Sequence, residues 1–303
     1  MNSSPSAEAA RLIKEAVMAE GAYAAGIARA EAVDAEAVEI YDRWIADRRH
    51  GSMAFAERYR EIRQDPRLLL DGARTIVSAA FNYHHLSPDL GVAEYARGAD
   101  YHIVLRDRLG RAAAAIEAAL GGATRVCVDS APIRERYWAR RAGLGFIGIN
   151  NHFIIPGAGS HFVLGEILWT GEARPDSPCA LTCGECMACV EKCPVSALRP
   201  DGSCDTSRCL SYLTIEHSGD LPAGTDLHGR LFGCDICLKA CPHNATAPLS
   251  KIDEFSPSPT LASYLAALRG DTTAPVSFRA ATRGTALTRL PLHRLLRNHS
   301  RQD

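Results

Sequence analysis

Eleven cysteines stand in this 303-residue chain, and ten of them fall between positions 179 and 241. One group reads Cys183-x2-Cys186-x2-Cys189-x3-Cys193-Pro194, and a second reads Cys234-x2-Cys237-x3-Cys241-Pro242. An x2 spacing lets neighbouring thiolates grip one iron–sulfur cubane, and the cysteine before the proline ligates the other cluster of a pair. The spacing therefore predicts two [4Fe-4S] clusters. Cys183, Cys186, Cys189 and Cys241 would hold the first. Cys193, Cys234 and Cys237 would hold the second and require a fourth ligand. Its usual position, three residues before Cys234, is Leu231. Cys204, Cys209 and the more distant Cys179 remain. We take Cys209, because it opens the apolar CLSYL stretch, whereas Cys204 follows the polar turn Asp201-Gly202-Ser203. Cys127, Cys179 and Cys204 are then small buried residues. The alternative is structural zinc, which four cysteines satisfy without the exchange across each Cys-Pro. The odd cysteine total argues against complete disulfide pairing.

Two clusters imply an electron relay, and the residues before them must hold the acceptor. Residues 7–30 read as a helix followed by a small-residue segment, and 33–60 as a second helical stretch with Ile40, Trp44, Ile45 and Met53. TIVSAAF is a β-branched apolar run and reads as a buried strand. Residues 101–120 are helical and stop at Gly121-Gly122; RVCVD is a strand, 132–142 a helix and HFVLGEILWT a strand. This alternation predicts an α/β (α+β) domain over 1–175, a small ferredoxin-like domain over 176–245 and a short Arg-rich segment over 246–303.

Lys+Arg total 34 and Asp+Glu 35, a net charge of −1, which excludes a globally basic nucleic-acid binder. Locally the balance differs: Val276–Asp303 carries six arginines against Asp303 alone. No apolar run approaches the roughly 18–20 residues that span a bilayer. The amino terminus, MNSSPSAEAARLIKEAV, lacks the basic start and apolar core of a signal peptide. A cytoplasmic protein without a membrane partner is expected.

Several segments, in order, resemble the epoxyqueuosine reductase family, cobalamin-dependent enzymes of tRNA modification. They are HGSMAF (50–55), IRQDPRLLLDGARTIVSAAFNY (62–83), ARGADYHIVLRDRL (96–109) and VDSAPIRERYWARRAGLGFIGINN (128–151). The cysteine block, CLSYLTIEHSG (209–219), GRLFGCDICLKACPHN (229–244) and LHRLLRN (292–298) complete the match. The family is also similar to reductive dehalogenases in joining a corrinoid to two clusters. The resemblance implies that epoxyqueuosine in a tRNA anticodon stem-loop loses its epoxide oxygen, with electrons passing from an external low-potential donor of ferredoxin or flavodoxin type through the clusters to cobalamin.

The resemblance also implies a proton donor in the motif Val128-Asp129-Ser130. Asp129 would need a raised pKa, through burial under the corrin, to act near neutral pH. On the residues alone it reads as a cap for the helix near Pro132, and the resemblance favours the acid. The positions matching corrin contacts are Arg63, Asp129, Gly148, Asn150, Phe153, Leu164, Ser211, Asp235 and Ile236. No D-x-H-x-x-G motif supplies an axial histidine; His102 in DYHIVL lacks the glycine.

Three features depart from the family pattern. Ile149 stands where a lysine is common, and PHN, with His243, replaces the usual PWN or PLN. Members often continue past LLRN into a helical-repeat domain that grips tRNA, so a shorter tRNA surface is expected here. Arg134, Arg136, Arg140, Arg141 and the Arg-rich tail are candidates for a phosphate-binding face; a solvated helix face is the alternative for the first four. Two other functions fit the cysteines: a corrinoid reductase of small organohalides, and a ferredoxin-type carrier or corrinoid activator.

Overall fold

The computed structural model describes residues 4–270 and 273–301; Met1–Ser3 at the start of the amino-terminal reading and Asp303, the acid of the tail, lie outside them. The first domain is built on four strands, β1 (Ala24–Arg29), β2 (Thr75–Asn82), β3 (Thr124–Cys127) and β6 (Phe162–Trp169); a separate hairpin pairs β4 (Phe146–Ile147) with β5 (Phe153–Ile154). The sheet order is β1-β2-β6-β3 and every pair is antiparallel, which makes the domain α+β. All eight residues of β2 are buried, as its uninterrupted apolar run requires for a strand covered on both faces.

One face carries Ile27, Val77 and Ile167 and packs on α1 (Pro5–Ala19) and α5 (Tyr101–Leu120) through Ile13, Val17, Leu105 and Leu109. The other carries Ile76, Leu168 and Cys127 and packs on α6 (Glu135–Arg141) through Tyr137 and Trp138. Each fully buried Leu or Ile contributes about 1.5–3 kcal/mol. Gly165 fixes the depth of α5, since a Cβ there would sit 2.6 Å from Leu109 Cδ1. The amino end of α5, capped by Asp100 accepting from the His102 N–H, is thereby set beside the end of β3.

Two expectations change. The small-residue segment after α1 is the edge strand β1; AAGIAR has few β-branched residues to announce it. The stretch 33–60 is one helix, α2 (Ala35–Ala46), followed by the short α3 (Ala54–Glu57) and α4 (Arg60–Gln64), because the backbone turns left-handed at Arg48, Gly51 and Tyr59.

The cysteine region has only short helices, α7 (Ala188–Glu191), α8 (Leu210–Ile215) and α9 (Ile236–Lys239). The last segment is more than a polar tail. It folds into α10 (Pro259–Arg269), α11 (Phe278–Ala281) and α12 (Leu292–His299), whose Leu261, Leu265, Leu287 and Leu295 pack on Val92, Ala96 and Phe232. Arg294 and Arg297 donate to the carbonyls of Ile215, Leu213, His217 and Gly219, which α8 leaves open at its end. Buried Asn298 donates to Thr214 and Leu231. Among the described residues no helix is long and apolar enough to cross a membrane.

Candidate active site

All eleven cysteines are free, and eight of them gather in two sets. Cys183, Cys186, Cys189 and Cys241 line a small cavity with Asn150, Ile154, Pro242 and His243. In the second set, Cys209 lies beside Cys193, Cys234 beside Cys209, and Cys237 beside both Cys234 and Cys209. The thiols acting most on Cys204 are Cys209 and Cys193. Cys209 is therefore the thiol common to both halves of the set.

Backbone amides aim at these sulfurs. Ile149 N–H reaches Cys183 Sγ at 3.5 Å and Ala197 N–H reaches Cys193 Sγ at 3.3 Å. The N–H groups of Ser211 and Tyr212 point at Cys209, that of Ile236 at Cys234, and that of His243 at Cys241. Burial, then neighbouring thiols, pushes Cys204 up to about 11; burial does the same to Cys234, where the amide at Ile236 pulls the other way. Sulfurs packed this closely need positive metal to exist as thiolates, so the donor sets fit two iron–sulfur clusters.

Asp129 follows β3 by two residues and does not cap α6. The N-cap of α6 is Arg134, and Glu135 at its first turn reaches back so that Oε1 accepts the Asp129 N–H at 2.6 Å. Asp129 Oδ2 lies 2.8 Å from His102 Nε2, and His102 Nδ1 lies 2.7 Å from Asp100 Oδ1. Tyr101 stacks on His102 at 4.1 Å and also hydrogen-bonds Asp129. Here the structure departs from the expected raised pKa. Burial pulls Asp129 up, but the hydrogen bond and charge of His102 outweigh it and hold the carboxyl below its ordinary value. His102 is correspondingly pushed up to about 9, first by Asp100 and then by Asp129. The proton of the pair sits on the imidazole.

Asp129 has a side chain 45% exposed, yet burial is the largest influence on it. Arg136 shows the same combination. Both side chains thus reach solvent while protein is packed densely around them. Arg63 Nε and Arg134 Nη1 are buried without partners, and both guanidinium charges act on Tyr41. Buried donors without protein partners suit the amide rim and phosphate of a corrinoid, so these residues fit that group.

The other expected corrin positions are spread. Gly148 stands against the first cysteine set, since a Cβ on it would lie 3.5 Å from Cys183 Sγ; Asn150 touches both sets, lining the first set's cavity and donating to the Cys237 carbonyl of the second at 3.3 Å. Phe153 and Leu164 pack in one apolar cluster with Phe162. Ser211 opens α8 beside Cys209, and Ile236 packs beside Cys209 and Cys234. Asp235 is buried, with Oδ2 accepting the Glu94 N–H at 2.7 Å. Glu94 in turn joins His84 at 2.6 Å. The Arg134–Arg141 group does not form one free face: Arg134 donates to the Ala37 carbonyl, Arg136 to that of Asn151, Arg140 to that of Cys179, and Arg141 pairs with Glu31.

Sequence reasoning missed Glu135 and His152, and saw Arg289 only as one arginine of the tail. His152 Nε2 lies 3.7 Å from Cys237 Sγ, and the Arg289 guanidinium from the tail reaches far enough to lower Asp129. Periodicity does not record such tertiary contacts; only the proximity of Glu135 to Val128-Asp129-Ser130 in the chain gave a hint.

Residues 63–130 match the family model described as Epoxyqueuosine reductase QueG, DUF1730, and residues 182–244 match the 4Fe-4S double cluster binding domain. The epoxyqueuosine reductase of Leadbetterella byssophila is 36% identical over 248 residues, covering 79% of this chain and 81% of that protein. That of Cyclobacterium marinum is 37% identical over 259 residues, covering 82% and 83%. A crystal structure of epoxyqueuosine reductase with an epoxyqueuosine-modified tRNA-Tyr stem loop superposes with a TM-score of 0.83 at 29% identity, covering 96% of this chain and 80% of that one. The chain belongs to the epoxyqueuosine reductase family.

Proposed function

We infer that this protein reduces epoxyqueuosine in tRNA to queuosine, using two [4Fe-4S] clusters and cobalamin. The observation that carries this is the Asp129–His102 pair, 2.8 Å apart with the Asp129 side chain 45% exposed, in a chain that also gathers four cysteines around one cavity.

Removing the oxygen takes two electrons and two protons for each epoxide and releases water, leaving an alkene. Cobalamin, when bound, supplies the low-potential cobalt that makes the two-electron reduction accessible. Cys183, Cys186, Cys189 and Cys241 hold the first cluster, and Cys193, Cys209, Cys234 and Cys237 the second. The loop 181–185 around Cys183 is largely exposed, which would give an external donor of ferredoxin or flavodoxin type access to the first cluster, with the second cluster as the relay toward cobalamin. Arg63, with its unpartnered Nε, and the groups around Ser211, Asp235 and Ile236 bind the polar rim of the cofactor.

Asp129 and His102 move the proton. The imidazolium stores it at Nε2, 2.8 Å from Asp129 Oδ2, and Asp100 fixes the ring by accepting from Nδ1. As negative charge develops on the departing oxygen, the Nε2 proton of His102 passes through Asp129 Oδ2 to that oxygen, and solvent supplies the second proton that completes the water. Arg289, half-exposed above this pair, meets a phosphate of the anticodon stem-loop.

The test is anaerobic reconstitution with iron, sulfide and cobalamin, followed by turnover on tRNA carrying epoxyqueuosine, with nucleoside mass spectrometry as readout. Loss of one oxygen from the modified nucleoside, dependent on both cofactors, is the expected result. Eight irons bound without corrinoid binding, and no nucleoside change, would reduce the protein to an electron carrier.

A further inference from the structure

Glu135 lies between the catalytic loop and the sheet. Its Oε1 accepts the Asp129 N–H at 2.6 Å. Asp129 has a φ of 40°, a left-handed conformation that a residue with a side chain adopts only when its surroundings impose it. The next residue is tied as well, with Arg106 donating to Ser130 Oγ at 2.8 Å. Glu135 is met by a backbone donor and not by a cation, because the neighbouring Arg136 guanidinium goes to the Asn151 carbonyl.

We propose that Glu135 is a positioning residue of the reaction: by accepting the Asp129 N–H it holds the left-handed turn that presents the Asp129 carboxylate to His102. This rests on the reading of Asp129 as the group that delivers the proton. The charged and titratable groups facing Glu135 are Asp129 from the loop, His102 and Tyr101 from α5, Glu166 from β6, Cys127 from β3 and Arg136 from its own helix. Two of these are carboxyl groups, and Glu166 is fully buried between Ser78 and Cys127 on the neighbouring strands. Burial first, and then the Asp129 charge, pushes Glu135 up to about 8. At neutral pH it is a neutral acid, and it accepts the N–H without repelling the carboxylate it positions. Once ionised it still accepts the N–H, but the like charges push the Asp129 side chain away from His102.

Two measurements on Glu135→Gln and Glu135→Ala test this. The first is the pH profile of kcat for epoxyqueuosine tRNA with the holoenzyme. The second is the NMR titration of His102 in histidine-labelled, cluster-loaded, cobalamin-free protein, which needs no turnover. Gln is neutral at every pH and keeps the acceptor, so E135Q retains kcat at pH 7 within about threefold and its alkaline limb moves upward. In E135Q, His102 still titrates near 9. In E135A, kcat falls at least about tenfold with KM nearly unchanged. His102 in E135A drops toward its ordinary value without reaching it, because Asp100 still holds Nδ1. An unmoved alkaline limb in E135Q, or E135A with wild-type kcat and His102 still near 9, overturns the proposal. If the wild-type enzyme does not act on epoxyqueuosine tRNA, the functional reading fails, while the His102 titration still decides the role of Glu135.

Discussion

His102 Nε2 and Asp129 Oδ2 stand 2.8 Å apart, joining the start of α5 to the end of β3. Neither residue alone has the titration of a proton donor at neutral pH, and the pair does. His102 is raised to about 9 and Asp129 is lowered, so the imidazolium–carboxylate form prevails between them.

The first prediction concerns that pair. Asp129→Asn keeps the shape of the side chain but removes the carboxylate, and turnover is expected to fall while cobalamin still binds. His102→Ala lowers kcat by about 10²–10⁴, the range typical of positioned acid–base groups. The pH signs follow from the shifts. The raised histidine contributes to folding stability fully below its unfolded pKa, and loses that contribution as pH rises through about 9. The lowered aspartate contributes above its unfolded pKa and loses it as pH falls. Thermal melts from pH 5 to 10 should therefore show a loss on the alkaline side near 9 that His102→Ala abolishes.

A second prediction separates two cysteines. Cys209→Ser removes a ligand of the second cluster, so iron falls from about eight to about four per chain. Cys204→Ser leaves iron and the cluster EPR signals unchanged. Its sulfur accepts a 4.0 Å contact from Thr206 and its carbonyl accepts from Trp44, which are structural roles. Equal iron loss in both variants would reassign the fourth ligand.

The third concerns tRNA. Arg289 has a side chain 45% exposed, pairs with Glu216 at 2.7 Å and influences Asp129. Arg289→Ala is expected to raise KM for tRNA severalfold with little change in kcat. It should also reduce the slope of log affinity against log salt by about 1, the signature of one lost phosphate contact. A kcat effect with unchanged KM would instead place Arg289 in the chemistry.

The cysteine spacing was readable because cluster ligation imposes fixed separations along the chain, and the same holds for β2, whose apolar run admits only a strand buried on both faces. Asp129 was legible only through the motif that carries the resemblance. Its partners were not, since His102 and Glu135 reach it by the packing of α5 and α6 on opposite faces of the sheet, which no local pattern records. The direction of its pKa was misjudged for the same reason: burial was foreseeable, the imidazolium was not. The edge strand β1 was lost among small residues, and the tail looked polar because its leucines are interspersed with arginines, two of which turn inward to the end of α8.

The last prediction concerns electron transfer. His152 Nε2 lies 3.7 Å from Cys237 Sγ, within hydrogen-bonding range of sulfur, and its backbone is fixed by Asn150 Oδ1 at 3.1 Å and by the Gly148 N–H at 2.9 Å. A donor to a ligating sulfur stabilises the more negative, reduced cluster and so raises its potential. His152→Phe fills the same space without a donor. Iron content and cobalamin binding should be unchanged, and the second cluster's potential, followed by EPR-monitored redox titration, should become more negative, while that of the first cluster stays put. Because the second cluster is the one that must hand electrons to the cofactor, a lower potential there makes its reduction by the external donor harder. Turnover should therefore slow with a given donor and recover with a stronger reductant such as dithionite. A potential that does not move would show that the imidazole faces the sulfur without donating to it.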